Sequence, residues 1–85
     1  MNCRFIALIL RMRHVLALDA SGLKALDDFH KKMKKDKSVL ILSGVHAQPL
    51  VVMDQSGFLE KIGQENLQPD IDHALERARE IVEQK

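Results

Sequence analysis

Two uninterrupted apolar segments restrict what this 85-residue chain can fold into. The first is Cys3–Met12, an apolar run with charged residues near its ends, and the second is Ser38–Ser43, which stops at Gly44. Apolar runs of this length without alternation are typical of strands that are buried on both faces of a covered sheet. Neither run is long enough to cross a bilayer. We therefore predict two buried strands that other elements cover.

The chain between these strands predicts a loop followed by a helix. Arg13–Leu18 has no clean hydrophobic period and is predicted to be the loop. Asp19 and Ser21 are residue types that start helices. The apolar residues that follow them at helical spacing are Leu23, Leu26, Phe29 or His30, and Met33.

The second half of the chain predicts two further helices and a short strand. Gln48–Ser56 fits a short helix, with Pro49 in its first turn and Gly57 at its end. Three apolar anchors and a candidate edge strand follow, namely Phe58, Leu59, Ile62 and Asn66–Gln68. Asp70 or Asp72 is expected to cap a last helix, whose apolar stripe is Ile71, Ala74, Leu75, Ala78, Ile81 and Val82.

The order of predicted elements is β-α-β-α-(β)-α in a single domain that spans residues 1–85. Strands that alternate with helices imply right-handed crossovers and a mainly parallel sheet. The helices must cover this sheet, because the strands are apolar on both faces. The predicted fold class is therefore α/β.

Composition narrows the possible partners and cofactors. The net charge of +1 gives no strong attraction to nucleic acid or to an anionic membrane surface. The single cysteine, Cys3, excludes an intrachain disulfide and fits a reducing cytosol; we expect it to be a buried strand residue. No segment is long enough to insert into a membrane. We expect a cytoplasmic protein without a nucleic-acid partner.

Histidines and lysines offer only weak candidate sites. The four histidines lack the paired spacing of a zinc site, so we predict no metal and no cofactor; they are His14, His30, His46 and His73. The basic run Lys31–Lys37 could touch phosphates or lipid headgroups. Such a run is more often a solvated helix end, and Asp36 interrupts this one.

The most informative segment is the junction between the first loop and the first helix, Leu18–Leu23. Backbone N–H groups at a helix start lack partners within the helix, and the positive end of the helix dipole points outward. A phosphoryl group on Ser21 would be held there and would add nearly two negative charges. The simpler interpretation is that Asp19 or Ser21 only caps the helix, while Gly22 allows close packing.

The residues of this junction resemble the signature of STAS domains. Leu16–Leu23 (LALDASGL) follows an apolar strand, as in anti-sigma-factor antagonists and in the cytoplasmic C-terminal domain of sulfate permease (SulP) anion transporters. The transporter branch fits better, since three further segments resemble it: Leu10–Val15, Leu42–Val45 and Ser56–Phe58. The resemblance covers essentially the whole chain and implies the STAS fold.

The resemblance implies a regulatory or protein-interaction module without enzyme activity. In the antagonists, the serine before the motif's glycine is phosphorylated by an anti-sigma-factor kinase, and Ser21 matches that position. Ala20 replaces the motif's first serine, as in transporter sequences. The implied interaction surface is Asp19, Ala20, Ser21, Gly22 and Lys24. Its expected partner is a transporter membrane domain or a cytoplasmic regulatory protein.

STAS domains normally begin with strands and a helix ahead of the strand that opens this chain, and these elements are absent here. A sheet that lacks them would expose an apolar edge, which is a template for pairing with another chain. We therefore expect a homodimer through this edge, by strand pairing or strand exchange, or else a chain that is a fragment.

Overall fold

A computed structural model describes residues 6–83 of the chain. Three strands, β1 (Ile6–Arg11), β2 (Ser38–Ser43) and β3 (Leu67–Gln68), form a parallel sheet in the order β1-β2-β3. The register of β1 against β2 runs from Ile6 opposite Ser38 to Arg11 opposite Ser43. The prediction of a mainly parallel α/β fold is confirmed.

In this described part of the chain, four helices and one short 3-10 turn connect and cover the strands. The helices are α1 (Ala20–Lys35), α2 (Ala47–Ser56), α3 (Phe58–Ile62) and α4 (Ile71–Glu83), and the 3-10 turn is Gln64–Asn66. The two longer predicted helices are confirmed, while α2 begins one residue earlier than expected. The prediction for Phe58–Ile62 was incomplete, because these apolar anchors form a helix of their own. The third strand is shorter than the predicted Asn66–Gln68, since Asn66 closes the 3-10 turn.

The sheet separates two apolar clusters, because alternate residues of a strand point to opposite faces. On one face, which α1, α2 and α3 cover, Leu40 and Leu42 of β2 belong to a buried apolar cluster. Its other members are Met12, Met33, Met53, Phe58, Leu59 and Ile62. On the other face, Ile41 packs against Ala74 and Ile81 of α4. Burial of β2 on both faces is confirmed, since its residues 40–43 are all at most 2% exposed.

The first strand is less buried than its apolar composition predicts. Ile6 is 61% exposed and Leu8 is 40% exposed, whereas Ala7 and Ile9 pack against the α4 cluster. The expectation that helices cover both faces of both strands was therefore wrong for β1. Within residues 6–83, β1 is an edge strand, and its exposed Ile6 and Leu8 lie on the same face of the sheet as Leu40. Cys3 and the rest of the predicted strand before Ile6 lie outside the described residues.

Helix ends follow the expected chemistry and settle two open alternatives. Asp70, rather than Asp72, caps α4 at its N-terminus, and its carboxylate accepts the backbone N–H of His73 at 2.9 Å. Gly57 ends α2 with a φ of 83°, a left-handed conformation that glycine adopts without strain.

On the inner face of α1, the ring of His30 meets Phe58 edge-on at 5.7 Å, while Phe29 is 41% exposed. Burial lowers the pKa of His30.

A buried asparagine joins the 3-10 turn to α4. The side-chain amide of Asn66 donates to the backbone oxygen of Ile62 at 2.6 Å, and its oxygen accepts from Nε of Arg77 at 2.9 Å. Asn66 is only 7% exposed, so these bonds satisfy a polar group that would otherwise be costly to bury. They hold α4 in place beside β3.

None of the helices within residues 6–83 is long and apolar enough to cross a bilayer.

Candidate functional site

The N-terminus of α1 is the part of the molecule where the sequence predicts a site. Asp19 is the N-cap: its backbone is extended, and its Oδ1 accepts the backbone N–H of Gly22 at 2.8 Å. The backbone oxygen of Asp19 also accepts the N–H of Leu23 at 2.9 Å, which starts the helical hydrogen bonding. Of the two predicted capping residues, Asp19 fills the role, and the side chain of Ser21 is left for other contacts.

Ser21 is the second residue of α1 and is exposed to solvent. Its hydroxyl therefore lies on the surface beside the backbone N–H groups of the first turn, where the positive end of the helix dipole is strongest. Ala20 and Lys24 are also exposed, and Lys24 forms a surface ion pair with Asp28 at 3.3 Å. The structure thus brings together the predicted residues Asp19, Ala20, Ser21, Gly22 and Lys24 as one surface at the helix start.

Gly22 lies where the loop packs closely on the helix. A Cβ atom at this position would come within 2.9 Å of Cδ1 of Leu18 and within 3.3 Å of Oδ1 of Asp19. The absence of a side chain therefore lets Leu18 lie against the helix start and lets the cap carboxylate reach its N–H. This is the close packing that the sequence suggested for Gly22.

Two side chains of the α2 start hold the loop ahead of Asp19. Gln48 Oε1 accepts the backbone N–H of Leu18 at 2.7 Å, and its Nε2 donates to the oxygen of the same residue at 3.3 Å. Nε2 of His46 lies 2.6 Å from the backbone oxygen of Arg13. The loop Arg13–Leu18 is therefore fixed at both ends to α2, and so is the capping residue that follows it.

Sequence reasoning missed the roles of His46 and Gln48. Each residue contacts a partner 30 or more positions earlier in the chain, so no local motif connects them. The polar side chains at the start of α2 were the only available signal. The sequence alone did not indicate what they would bind.

A groove of about 220 Å³ adjoins this surface, between α1 and the α2–α3 corner. Its apolar lining includes Leu23 and Phe58, and its charged lining includes Lys24, Asp27 and Lys61. Lys61 donates to Asp27 at 3.1 Å, and Lys31 pairs with the same carboxylate at 3.3 Å. The hydrogen bond from Lys61, aided by Lys31, lowers the pKa of Asp27. The groove offers apolar contacts with ammonium groups at its border.

The histidines do not come together in the described part of the chain. His30 packs on Phe58, His46 binds the Arg13 backbone, and His73 bonds with Asp70 at 2.8 Å. The ring hydrogen bond with Asp70 raises the pKa of His73, while the backbone N–H of His73, aided by its ring, lowers the pKa of Asp70. No group of three or more histidine, cysteine or carboxylate side chains within residues 6–83 is arranged to hold a metal ion.

These features define a class: a small α/β domain whose parallel strands place an anchored helix N-terminus, with an exposed serine, at one edge of the sheet. The family model of the STAS domain matches residues 3–74. The chain therefore belongs to the STAS domain family, and the predicted resemblance is confirmed.

A solved structure supports this assignment. The chain is similar to a sulfate transporter family protein from Wolinella succinogenes, with 39% sequence identity and a TM-score of 0.86. The match covers 91% of this chain and 63% of that protein, so the chain spans less than two thirds of its structural neighbour. A comparison with curated proteins yields no match.

Replacing Asp19 by alanine tests the assignment of the helix cap. We expect Asp19→Ala to lower the free energy of unfolding by about 1 kcal/mol, because the N–H of Gly22 loses its partner. Urea unfolding measures this change. Asp28→Ala is the matched control, since it removes only an exposed ion pair with Lys24, which contributes about 0.5 kcal/mol or less. An equal loss in both variants would contradict the capping role.

Proposed function

We propose that this chain is a non-catalytic regulatory domain of a SulP-type anion transporter and works on the cytoplasmic side of the membrane. The observation that carries the proposal is its similarity to the sulfate transporter family protein across 91% of the chain, at 39% identity. In this role the domain binds another part of the transporter, or a cytoplasmic regulatory protein, and performs no chemistry.

The surface at the α1 start suits such a docking role. Ser21 and Lys24 are exposed, while the loop before them is held to α2 through Gln48 and His46. A surface that is already rigid loses little conformational entropy on binding. The adjacent groove adds apolar area, and Lys24 and Lys61 at its border favour a partner that carries carboxylates.

The reading frame upstream of Met1 provides the first test of this proposal. A run of long apolar segments there would support a transporter.

Once that gene is cloned, Lys24→Glu in the full-length transporter is expected to weaken docking by about tenfold, because it opposes like charges at the interface. Binding of the purified domain to the solubilised membrane domain measures docking, and anion uptake by cells measures its consequence.

Lys35→Glu is the matched control for this experiment. It makes the same charge change at the opposite end of the same helix, and its side chain is also exposed. We expect it to leave docking unchanged. Equal weakening by both variants would show a general charge effect and would contradict docking through the α1 start.

An alternative function is a free-standing phospho-switch of the anti-sigma-factor antagonist kind. The observation that favours it is the exposure of Ser21 in the first turn of α1, at the positive end of the helix dipole. A phosphoryl group there would interact favourably with the helix dipole and would change the charge of the docking surface without a change of fold. Ala20, in place of a first serine, favours the transporter role instead.

Incubation with ATP and a cognate anti-sigma-factor kinase tests the alternative. The switch requires one phosphoryl group per chain in the wild type and in Ser56→Ala, and none in Ser21→Ala, as measured by intact mass. Ser56 is a suitable control because it is also exposed and lies at the end of α2. An unmodified wild-type chain would exclude the switch and leave the docking proposal standing.

We further propose that two copies pair through the edge of β1. The exposed Ile6 and Leu8 side chains, and the side of β1 that faces away from β2, support this proposal. Pairing would bury apolar surface and would satisfy the backbone groups of the edge.

Sedimentation velocity over a range of concentrations measures this association. We expect a concentration-dependent dimer that Leu8→Lys abolishes, because a charged side chain on the edge strand opposes edge pairing. Leu75→Lys is the control, since Leu75 is 51% exposed and belongs to α4 rather than to the edge strand. A wild-type monomer at high concentration would contradict the proposal.

A further inference from the structure

A second pocket lies at the edge of the sheet where the strands end. It has a volume of about 180 Å³ and lies between the end of β1, the turn after β2 and the start of α4. Its lining comes from the strand ends, with Arg11, Arg13, Ser43 and Gly44, and from the approach to α4, with Pro69, Asp70 and Ile71. In open α/β sheets, ligands characteristically bind outside the carboxyl ends of the strands, which is where this pocket lies.

Two arginines give this pocket its positive charge. Arg11 is the last residue of β1, and Arg13 begins the loop whose backbone oxygen bonds with His46. Neither guanidinium takes part in an ion pair with any residue from 6 to 83. A guanidinium group donates several hydrogen bonds in a planar fork that matches the oxygens of an oxyanion. Both arginines contribute to the lining of the pocket, and their guanidinium groups form no ion pair within the described chain that would compete with a bound anion.

A buried hydroxyl group opens into the same pocket. Ser43 is 2% exposed and lies directly opposite Arg11 in the β1–β2 register, so both side chains point to the same face of the sheet. Its hydroxyl forms no side-chain hydrogen bond with another residue of the described chain, although its backbone oxygen accepts the N–H of Met12 at 2.8 Å. Within residues 6–83, every fully enclosed polar side-chain atom has a hydrogen-bond partner, so the unpaired hydroxyl of Ser43 is not fully enclosed. It therefore faces the pocket that Ser43 lines.

The start of α4 completes the pocket. Within the described chain this helix has 13 residues, and the backbone N–H groups of Ile71 and Asp72 precede its first internal hydrogen bond. Ile71 lines the pocket, whereas the N–H of Asp72 also interacts with the carboxylate of Asp70. The carboxylate of Asp70 also lines the pocket and would oppose an anion. Its Oδ1, however, already accepts from the backbone N–H of His73 at 2.9 Å and lies 2.8 Å from Nδ1 of the same residue. The two arginines outnumber this single carboxylate.

We propose that this pocket binds a small tetrahedral oxyanion, with sulfate or inorganic phosphate as its chemical class. Two guanidinium groups, a hydroxyl group and the N–H groups of a helix start are donors to such an ion. The pocket is smaller than the roughly 300 Å³ at which sites for organic ligands begin, so a single inorganic ion is the fitting occupant. The proposal is independent of the docking role of the α1 start.

Titration of the ¹⁵N-labelled full chain with sodium sulfate tests the proposal, and sodium chloride at matched ionic strength serves as the reference. We expect saturable shifts of the Gly44, Ile71 and Asp72 amides with sulfate, similar shifts with phosphate, and none with chloride. Shifts that do not saturate, that appear equally with chloride, or that map to the α1 start would overturn it. This mapping on the wild-type chain decides the matter even if a variant fails to fold.

Variants then assign the donors. The double variant Arg11→Gln with Arg13→Gln is expected to weaken sulfate binding by about tenfold or more, and Ser43→Ala to weaken it less. The double variant Lys34→Gln with Lys35→Gln removes the same charge from the far end of α1. It should bind within about twofold of the wild type, because distant sites act independently. Equal affinity in the two double variants would refute the arginine site.

Discussion

Parallel pairing of β1 with β2 is the constraint on which the rest of the structure depends. Two parallel strands that are neighbours in a sheet need a crossover connection, and α1 supplies it across one face. The same arrangement brings the carboxyl ends of the strands to one edge. Three helices, α1, α2 and α4, each begin after a strand and therefore start at that edge. Both the surface at the α1 start and the pocket lined by Arg11 and Arg13 result from this geometry.

Contacts between neighbouring connections make this edge rigid. The side chains of His46 and Gln48 at the start of α2 hold the loop after β1. Because Arg13 belongs to that loop, the same hydrogen bond from His46 helps to position one wall of the arginine pocket and, a few residues later, the cap of α1. The two proposed binding surfaces thus share a support while using different side chains.

Much of the fold was predictable because its signals are local. The apolar run of β2, the periodicity of α1 and α4, and glycine at the end of α2 each act within a few residues. Phe58–Ile62 was not recognised as a helix, since five residues are too few to display a helical period. For β1, apolar composition predicted full burial, but Ile6 and Leu8 are exposed, because the burial of an edge strand depends on which elements pack against it.

The sequence by itself determined the α/β class, the alternation of the main strands and helices, the family and the helix start at Asp19–Gly22. These follow from side-chain periodicity, capping chemistry and a local motif. Only the tertiary structure decided that Gln48 anchors Leu18, that Arg11 lies opposite Ser43, and that both open into one pocket with the start of α4. Such pairings join residues about 30 or more positions apart, and their register and distance are set by chain packing rather than by any local pattern.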